Sequence, residues 1–240
     1  MNKLTLIGIP IGNLEDITIR GIKAIFSFDI ILAEDTRNYI KLRNLLSERF
    51  PEIINSLNLD KEHRPQLISY REQNHKAVIG KILTLLETNF KIGFMSDAGM
   101  PLISDPGFKL VEEVVKGGFE VEVVPGPSAV DSALVVSGLP TDKFTFLGFL
   151  PREAGKIKKL FKEKLEKRNS KFETFIYYDS PYRLKRNLET ISTLSKEVRV
   201  SVCNDITKKF ELIYRGTIME VLDNLNAKKV AGEWVVVIQL

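Results

Sequence analysis

Short apolar runs rich in β-branched residues alternate with amphipathic stretches through the first half of the chain. Such runs are typical of buried strands, and they lie at residues 3–9, 29–33, 66–69 and 119–124, with another beginning at Ile92. Apolar residues at helical spacing between these runs predict helices over 16–28, from Tyr39 to Leu46, over 75–88 and over 110–116. Residues 51–65 are polar and irregular, and they predict a loop. The alternation of strands and helices indicates a parallel sheet with helices on both faces.

The second half of the chain contains the same kinds of element in a less regular order. Apolar runs predict strands at 144–150, 175–178, 198–203, 209–214 and 233–239, and helical spacing predicts helices at 128–136, 152–171, 182–194 and 217–225. The change of character lies between residues 124 and 144. We therefore expect an N-terminal α/β domain over residues 1–124 and a C-terminal α/β domain over residues 125–240.

Loops rich in Gly, Pro, Asp and Ser follow four of the five strands predicted in the first half. Gly and Pro allow sharp turns and a close approach of backbone to ligand, while Asp and Ser add polar side chains. Because the carboxyl ends of parallel strands meet at one edge of a sheet, these loops should line a common ligand site. Each loop alone is more typical of an ordinary turn, so it is the set that favours a ligand. The loops are residues 8–13, 34–37, 96–107 and 125–129.

Composition limits the class of protein. The chain has 240 residues, with 44% hydrophobic and 28% charged residues, which is ordinary for a globular protein. No apolar run approaches the roughly 20 residues of a membrane-spanning helix, and the N-terminal run predicts a first strand rather than a signal peptide. The single Cys203 excludes an intramolecular disulfide, and with only His63 and His75 it provides no credible zinc ligand set. We expect a cytoplasmic protein without a metal site or a membrane partner.

Positive charge is concentrated in one segment. The net charge is +4 and the isoelectric point is near 9.0, and basic residues far outnumber acidic ones over residues 152–171. The apolar residues of this segment fall on one helical face and the lysines on the other. Such a face is either simply solvated or in contact with RNA phosphates, and the pattern leaves both readings open. Tyr177, Tyr178 and Tyr182 could stack on bases, although core or interface packing is the better explanation for at least one of them.

Taken together, the loops resemble one protein family. The stretches GIPIGNLEDIT, LAEDTR, SYREQN, SDAGMPLISDPG, VPGPSA, SGLPTDKFTFLGFLPR, YYDSPYR and ITKKFE occur in one order and span nearly the whole chain. They are similar to the ribosomal small-subunit RNA ribose 2'-O-methyltransferases of the tetrapyrrole methylase superfamily. The chain departs from the usual pattern of that family at Asn38, Met100, Asp179 and Tyr182.

This resemblance implies a fold, a reaction and partners. The fold would be two α/β domains of the tetrapyrrole methylase type, with a mainly parallel N-terminal sheet, a mixed C-terminal sheet and S-adenosylmethionine in the cleft between the domains. The reaction would be 2'-O-methylation of the ribose of a decoding-centre cytidine in 16S ribosomal RNA. The substrate would be the small ribosomal subunit, and the enzyme would be a homodimer.

The cofactor-binding residues are predicted from the loops and the resemblance together. Loops that offer backbone N–H and C=O groups can hold the adenine, ribose and methionine parts of the cofactor. The first half would contribute Pro10, Ser96, Asp97, Ala98, Ser104, Ser128 and Ala129, and the second half Leu150, Tyr178, Asp179 and Thr207.

The charged groups at strand ends are the candidates for catalysis. A ribose hydroxyl is a poor nucleophile until its proton begins to leave, so a nearby carboxylate would help. We expect Asp97 nearest the cofactor, Glu34 or Asp35 to orient or deprotonate the hydroxyl, and Arg37 to hold RNA phosphate. A capped helix start with an internal ion pair explains residues 34–37 at least as well. The predicted RNA contacts are Arg37, Arg152, Lys156, Lys158, Lys159 and Arg183.

Two rival functions remain at this point. The first keeps the cofactor but methylates carbon on a corrin-type tetrapyrrole. The second is a non-catalytic RNA-binding module of the ribosome-assembly type, which gives no reason for so many loops at strand ends.

Overall fold

The computed structural model describes residues 3–167, 173–195, 198–227 and 230–239. The chain divides into two compact units, Met1–Pro127 and Ser128–Leu240. The boundary predicted between residues 124 and 125 lies in the loop that contains this division. Residues 168–171 of the predicted basic segment lie outside the described residues.

The N-terminal unit alternates strands and helices. Its strands are β1 (Lys3–Ile7), β2 (Ile30–Ala33), β3 (Gln66–Ser69), β4 (Ile92–Met95) and β5 (Glu120–Val124). Its helices are α1 (Ile19–Ser27), α2 (Thr36–Arg49), α3 (Pro51–Ser56), α4 (His75–Leu86) and α5 (Phe108–Lys116). Short 3₁₀ helices lie at Leu14–Asp16 and Glu72–Asn74.

The five strands form one parallel sheet in the order β3-β2-β4-β1-β5. Alternate residues of each central strand face opposite layers, which is why these strands are apolar throughout. One face packs with α1, α2 and α3 through Ile7, Ile31, Ala33 and Met95. The other face packs with α4 and α5 through Leu4, Ile30, Leu32, Ile92 and Phe94. The predicted parallel sheet with helices on both faces is confirmed.

The prediction of an irregular segment from residue 51 was wrong at its start. Residues Pro51–Ser56 form α3, with Pro51 in the first turn and Ile54 fully buried. Proline is favoured at the first helical position because its missing N–H would have no partner there anyway. Packing of Ile54 and its neighbours then stabilises a helix too short to form alone.

The C-terminal unit is also a layered α/β structure. Its strands are β6 (Phe144–Phe149), β7 (Thr174–Asp179), β8 (Arg199–Asn204), β9 (Leu212–Thr217) and β10 (Trp234–Gln239). Its helices are α6 (Ala129–Val136), α7 (Ala154–Lys167), α8 (Leu184–Ser192) and α9 (Ile218–Asn226).

The C-terminal sheet is mixed, as predicted, in the order β6-β7-β10-β8-β9. Strand β10 is antiparallel to both of its neighbours, while β6 is parallel to β7. Strands β6, β7 and β8 therefore run in one direction and end at the same edge. The main core lies between the sheet and α7, α8 and α9, with Phe161, Tyr177 and Trp234 among its buried members. No helix of the described residues combines the length and apolar character that crossing a membrane requires.

Candidate active site

The carboxyl edge of the N-terminal sheet has a topological switch point between β1 and β4. These strands are neighbours, yet from β1 the chain crosses towards β2 and from β4 it crosses the opposite way, towards β5. The two following helices, α1 and α5, pack on opposite faces of the sheet. Loops that part in this way leave a crevice, which is where open α/β sheets bind ligands.

The loops after β1, β4 and β5 are in direct contact. The Ile9 N–H donates to the Gly99 carbonyl at 3.0 Å, and the two residues form an isolated antiparallel bridge. The Gly126 N–H lies 3.2 Å from the Met100 Sδ atom. A Cβ atom added at Gly8 would lie 2.5 Å from the Gly126 nitrogen, so only glycine permits this approach. The structure thus places Pro10, which follows Ile9 in the loop after β1, next to the loop that contains residues 96–104.

The loop after β4 has an unusual backbone. Gly99, Leu102, Ser104 and Gly107 all have positive φ, at 71°, 74°, 64° and 129°. Two of them carry a Cβ atom, and such conformations persist only where surrounding contacts fix them, often at functional sites. Ser96 is buried and its hydroxyl donates to the Ala98 carbonyl at 3.1 Å, while Asp97 and Ala98 are exposed.

Three carboxylates lie together at this edge. Burial raises the pKa of Glu34, which follows β2, and the nearby Asp97 and Asp105 raise it further, against a lowering by Arg71. Burial also raises the pKa of Asp105, Ser96 partly opposes the shift, and Asp97 adds to it. Since the three carboxylates affect one another's protonation, we call Glu34, Asp97 and Asp105 the carboxylate cluster. It combines groups from the ends of β2 and β4 and suits a cationic ligand.

Asp35 and Arg37 form a capped helix start with an internal ion pair, which was one of the two arrangements predicted for residues 34–37. Asp35 is the N-cap of α2 and accepts from the Arg37 N–H at 2.9 Å. The Arg37 guanidinium also donates to it, with Nη2 2.5 Å from Oδ2. These hydrogen bonds lower the pKa of Asp35 to about 2, so this carboxylate is a weak base. The Arg37 side chain is 85% exposed beside this pair.

The sequence did not single out three residues of the site. Asp105 belongs to the cluster, Arg71 donates through Nε to the Glu34 carbonyl at 3.1 Å, and Glu72 contacts the far end of the loop. Glu72 accepts from the Gly107 N–H at 3.4 Å and pairs with Lys109 at 3.3 Å. The position of these three residues in the sequence could have indicated a role in the site. Asp105 lies in one of the predicted ligand loops, and Arg71 and Glu72 follow a predicted strand.

The predicted residues of the C-terminal unit also gather at one sheet edge. Leu150 follows β6, Tyr178 and Asp179 end β7, and Thr207 follows β8. The Leu150 side chain is a core residue, and its carbonyl accepts from Arg183 Nη1 at 3.2 Å. Tyr178 is half-buried and packs against Phe146 and Phe149.

Asp179 is enclosed within its own unit. Its side chain is 0% exposed and accepts from the Ser180 N–H and from Asn187 Nδ2, each at 2.8 Å. Burial raises the pKa of Asp179, while hydrogen bonds from Asn187 and Ser180 and the charge of Arg183 oppose the shift. Arg183 Nη2 lies 3.8 Å from its Oδ1 atom. The carboxylate therefore positions the turn after β7, and the hydrogen bond from Arg183 to the Leu150 carbonyl connects that turn to the end of β6.

Thr207 has two features of a ligand-binding residue. Its φ of 66° is strained for a β-branched residue, and Asp205 beside it also has positive φ. The Thr207 Oγ1 atom is buried and has no hydrogen-bond partner within the described residues. Buried hydroxyls are rarely left unpaired, so an external partner is expected.

The remaining predicted residues lie on the surface or at a helix start. Ser128 caps α6 by accepting from the Asp131 N–H at 3.4 Å, and Ala129 begins that helix. Arg152, Lys156, Lys158 and Lys159 are exposed, and Lys156 pairs with Glu153 at 2.7 Å. Arg186 Nη2 donates to the Arg152 carbonyl at 3.0 Å, which joins the start of α7 to α8. Within the described ranges, no group of three or more His, Cys, Asp or Glu could hold a metal ion.

The family model described as Tetrapyrrole (Corrin/Porphyrin) Methylases matches residues 3–222 of this chain. The chain belongs to this family. The match spans both units and includes the switch point, the carboxylate cluster and the loop of Thr207. The tetrapyrrole methylase fold predicted from the order of motifs is thereby confirmed.

Relatives within the tetrapyrrole methylase family share more than the fold. A Thermotoga maritima protein named ribosomal RNA small subunit methyltransferase I is 42% identical over 238 residues, covering 99% of this chain and 98% of the relative. A Bacillus subtilis protein of the same name is 37% identical over 239 residues, covering 100% of this chain and 75% of the relative. The predicted relationship to that group of methyltransferases is confirmed.

Solved structures support the fold alone. A cobalt precorrin-4 methyltransferase superposes with a TM-score of 0.63 at 19% identity, covering 99% of this chain and 95% of its own. A diphthine synthase superposes with a TM-score of 0.66 at 13% identity, covering 99% of this chain and 89% of its own. The names of those two proteins indicate substrates that differ from each other. Their structural similarity to this tetrapyrrole methylase therefore carries no conclusion about what it methylates.

Proposed function

We propose that the protein transfers the methyl group of S-adenosylmethionine to the ribose 2'-hydroxyl of a decoding-centre cytidine in 16S ribosomal RNA. The observation that carries the proposal is the carboxylate cluster of Glu34, Asp97 and Asp105 at the switch point of the N-terminal sheet. Relatives named ribosomal RNA small subunit methyltransferase I, which match nearly the whole of this chain, support the choice of substrate.

The residues present fit S-adenosylmethionine. When bound, the cofactor supplies an electrophilic methyl group on a sulfonium cation. The carboxylate cluster favours a cation at this edge, and it favours the charged cofactor over its neutral demethylated product. The loops after β1 and β4 present backbone groups at Pro10, Ser96, Ala98 and Ser104 for the polar parts of the ligand.

The C-terminal unit supplies further proposed cofactor contacts. Thr207 is the strongest of them, because its buried hydroxyl lacks a partner among the described residues. Leu150 would offer its backbone and Tyr178 the surface of its ring. The enclosed carboxylate of Asp179 would act indirectly, by holding the turn after β7 in place. Ser128 and Ala129 would contribute backbone at the start of α6.

Glu34 is the best candidate for the proton acceptor. Methyl transfer is an in-line displacement, so the protein mainly positions the hydroxyl and accepts its proton. The raised pKa of Glu34 makes this carboxylate a better base than an ordinary glutamate. Asp35 is a poorer choice, because its pKa of about 2 reflects hydrogen bonds to Arg37. Asp97, which is exposed beside Glu34, would lie nearest the cofactor.

RNA would be held by exposed cations. Arg37, Arg152, Lys156, Lys158 and Lys159 would contact phosphates, and such contacts provide affinity and salt dependence rather than sequence choice. Arg183 is already engaged by Leu150 and Asp179, so its main role would be to position its turn. We also propose a homodimer in the cytoplasm that acts on the small ribosomal subunit.

Transfer of label tests the function against its rivals. Purified protein would be incubated with radiolabelled S-adenosylmethionine and small ribosomal subunits that lack the modification, followed by nuclease mapping. We expect label on a ribose of 16S RNA. Label only on a supplied precorrin would favour tetrapyrrole methylation, and RNA binding without any transfer would favour a non-catalytic module.

Replacement of Asp97 tests the site. We expect Asp97→Ala to abolish labelling, because the cluster loses the carboxylate nearest the cofactor, while the melting temperature of the cofactor-free protein stays nearly unchanged. Asp142→Ala is a matched control, since Asp142 is an exposed aspartate before β6 and should keep full activity. If Asp97→Ala retained activity, the proposal that Asp97 lies nearest the cofactor would be wrong.

A further inference from the structure

Tyr182 is the most exposed large apolar side chain of the described residues. It is 95% exposed, and it lies in the turn between β7 and α8. An aromatic ring left in water gives up the stabilisation that burial would provide, and its faces stay available to a ligand. The other two tyrosines of this region are used in packing. Tyr177 is 0% exposed against Phe161, and Tyr178 contacts Phe146 and Phe149.

The turn that carries Tyr182 is held firmly in place. The Arg183 and Leu184 N–H groups both donate to the Ser180 carbonyl at 3.0 Å. The buried Asp179 carboxylate accepts from Ser180 and Asn187, and Pro181 restricts the backbone next to Tyr182. The exposed ring therefore stands on a rigid support. Binding through such a ring costs little conformational entropy, because only the side chain remains to be fixed.

Basic residues are numerous on α8, which follows this turn, and on α7, which packs against α8. Arg183, Lys185 and Arg186 lie within four residues after Tyr182, and Arg186 Nη2 donates to the Arg152 carbonyl at the start of α7. Helix α7 adds the exposed Lys156, Lys158 and Lys159. The acidic groups on these elements are fewer. Glu153 is paired with Lys156, Asp179 is buried, and Glu189 is exposed on α8. Glu163 and Glu166 lie further along α7, where Glu166 is 3.8 Å from Lys162.

We propose that Tyr182 stacks on an unpaired nucleobase of the RNA substrate, which makes the substrate class single-stranded or locally opened RNA. The proposal rests on the function proposed above, in which RNA is the substrate. An aromatic face among cations matches the recognition of unstacked bases, whose phosphates the cations can hold. In a duplex the bases are already stacked on each other and offer no such face. Phe210 is also exposed, at 74%, and Lys209 Nζ lies 5.5 Å from the centre of its ring. Around that loop, however, Asp205, Glu211 and Glu233 outnumber Lys208 and Lys209, so charge favours RNA less there.

RNA binding without cofactor tests the proposal. Fluorescence anisotropy would measure the Kd of a labelled short single-stranded oligoribonucleotide, and of the duplex of the same sequence, at low salt. We expect the wild type to prefer the single strand, and Tyr182→Ala and Tyr182→Leu to bind the single strand roughly ten-fold more weakly. Tyr182→Phe keeps the ring and should bind like the wild type. Phe90→Ala is a matched control, because Phe90 is 49% exposed just before β4, at the amino edge of the N-terminal sheet.

Several outcomes would overturn the proposal. One is that Tyr182→Ala or Tyr182→Leu binds the single strand as tightly as the wild type does. Another is that the wild type shows no preference for the single strand over the duplex. A change of sedimentation coefficient in Tyr182→Ala would identify the ring as a contact between copies of the chain instead. Unchanged melting temperatures would show that the variants are folded. Because the assay contains no cofactor, failure of methyl transfer would leave its result intact, so the two proposals fail separately.

Discussion

At the scale of single residues, the carboxylate cluster opposes folding, and in the proposed function it binds the cationic cofactor. Glu34 and Asp105 are partly removed from water and lie near Asp97, and both pKa values are raised as a result. Groups whose charge is disfavoured by their surroundings recur at functional sites, where a ligand of opposite charge relieves the repulsion. The positive φ angles of Leu102 and Ser104 fit the same interpretation.

Asp105→Asn should stabilise the cofactor-free protein in a pH-dependent way. The pKa of Asp105 in the folded state lies above its ordinary value of 3.8, so the folded state holds the proton more tightly than the unfolded chain. The carboxyl therefore costs stability as pH rises through 3.8 towards the folded pKa, and the cost persists above it. We expect a higher melting temperature than the wild type at pH 7, with the gain vanishing below pH 3.8. Thermal melts across this range would check it, and a gain independent of pH would contradict it.

The same variant should shift the pH dependence of methyl transfer. Asp105 raises the pKa of Glu34, so Asp105→Asn should lower that pKa. If ionised Glu34 accepts the proton, activity should then persist to lower pH than in the wild type. Initial rates of label transfer against pH would measure the acidic limb. An unmoved limb would exclude Glu34 as the base whose ionisation is observed.

Sequence alone predicted some site residues and missed others for a physical reason. Glu34 and Asp97 follow apolar runs directly, so their place at strand ends could be inferred. Asp105 is partly buried by the path of the loop around Leu102 and Ser104, and nothing in the local pattern indicates that path. Arg43 was missed in the same way.

Arg43 illustrates how a charged residue becomes structural. It is only 5% exposed, lies 4.3 Å from the centre of the Phe26 ring, and donates to the Lys61 and His63 carbonyls at 2.9 and 2.6 Å. Burial lowers its pKa. Its partners are backbone carbonyls five and seven residues beyond the end of α3, so no side-chain pattern could reveal them.

At the scale of elements, the contact between three loops depends on glycine. The carboxyl ends of β1 and β5 approach so closely that the backbones of Gly8 and Gly126 touch. This approach brings the loops after β1, β4 and β5 together at the switch point, and it leaves backbone groups rather than side chains at the crevice.

Gly126→Ala should therefore destabilise the N-terminal unit. A Cβ atom there would lie 2.6 Å from the Gly8 carbonyl carbon, and backbone cannot move aside as a side chain can. We expect a loss of about 1–3 kcal/mol in the free energy of unfolding. Gly80→Ala is the control. Gly80 lies on the exposed side of α4 with nothing within 4 Å, so alanine should stabilise by up to about 1 kcal/mol. Chemical denaturation would measure the free energy of unfolding of both variants. If Gly126→Ala were as stable as the wild type, the close approach of Gly126 to Gly8 would be contradicted.

Element types were readable from the sequence, while their arrangement was not. The apolar runs predicted all ten strands that the described part of the chain contains, because buried strands need such residues. Helix α3 was missed because residues 51–65 were interpreted as polar and irregular, although proline followed by Glu52 is also a signal for a helix start. The order of strands, with β1 between β4 and β5, depends on long-range pairing that no local pattern encodes.

At the scale of the whole molecule, both units carry parts of the family pattern. The family model covers residues 3–222, and the Thermotoga maritima relative matches 99% of the chain. In each unit, the predicted contacts gather at the edge where parallel strands end. The order of short motifs therefore identified the family, because each motif marks the end of a strand or the start of a helix.

Calorimetric titration of S-adenosylmethionine tests the central claim most directly. We expect heat of binding with a stoichiometry near one per chain in the wild type. Affinity should be much weaker in Asp97→Ala, which lacks a carboxylate of the cluster, and unchanged in Gly80→Ala. No heat with the wild type, or equal affinity in Asp97→Ala, would contradict a methyl-donor site at the carboxyl edge of the N-terminal sheet.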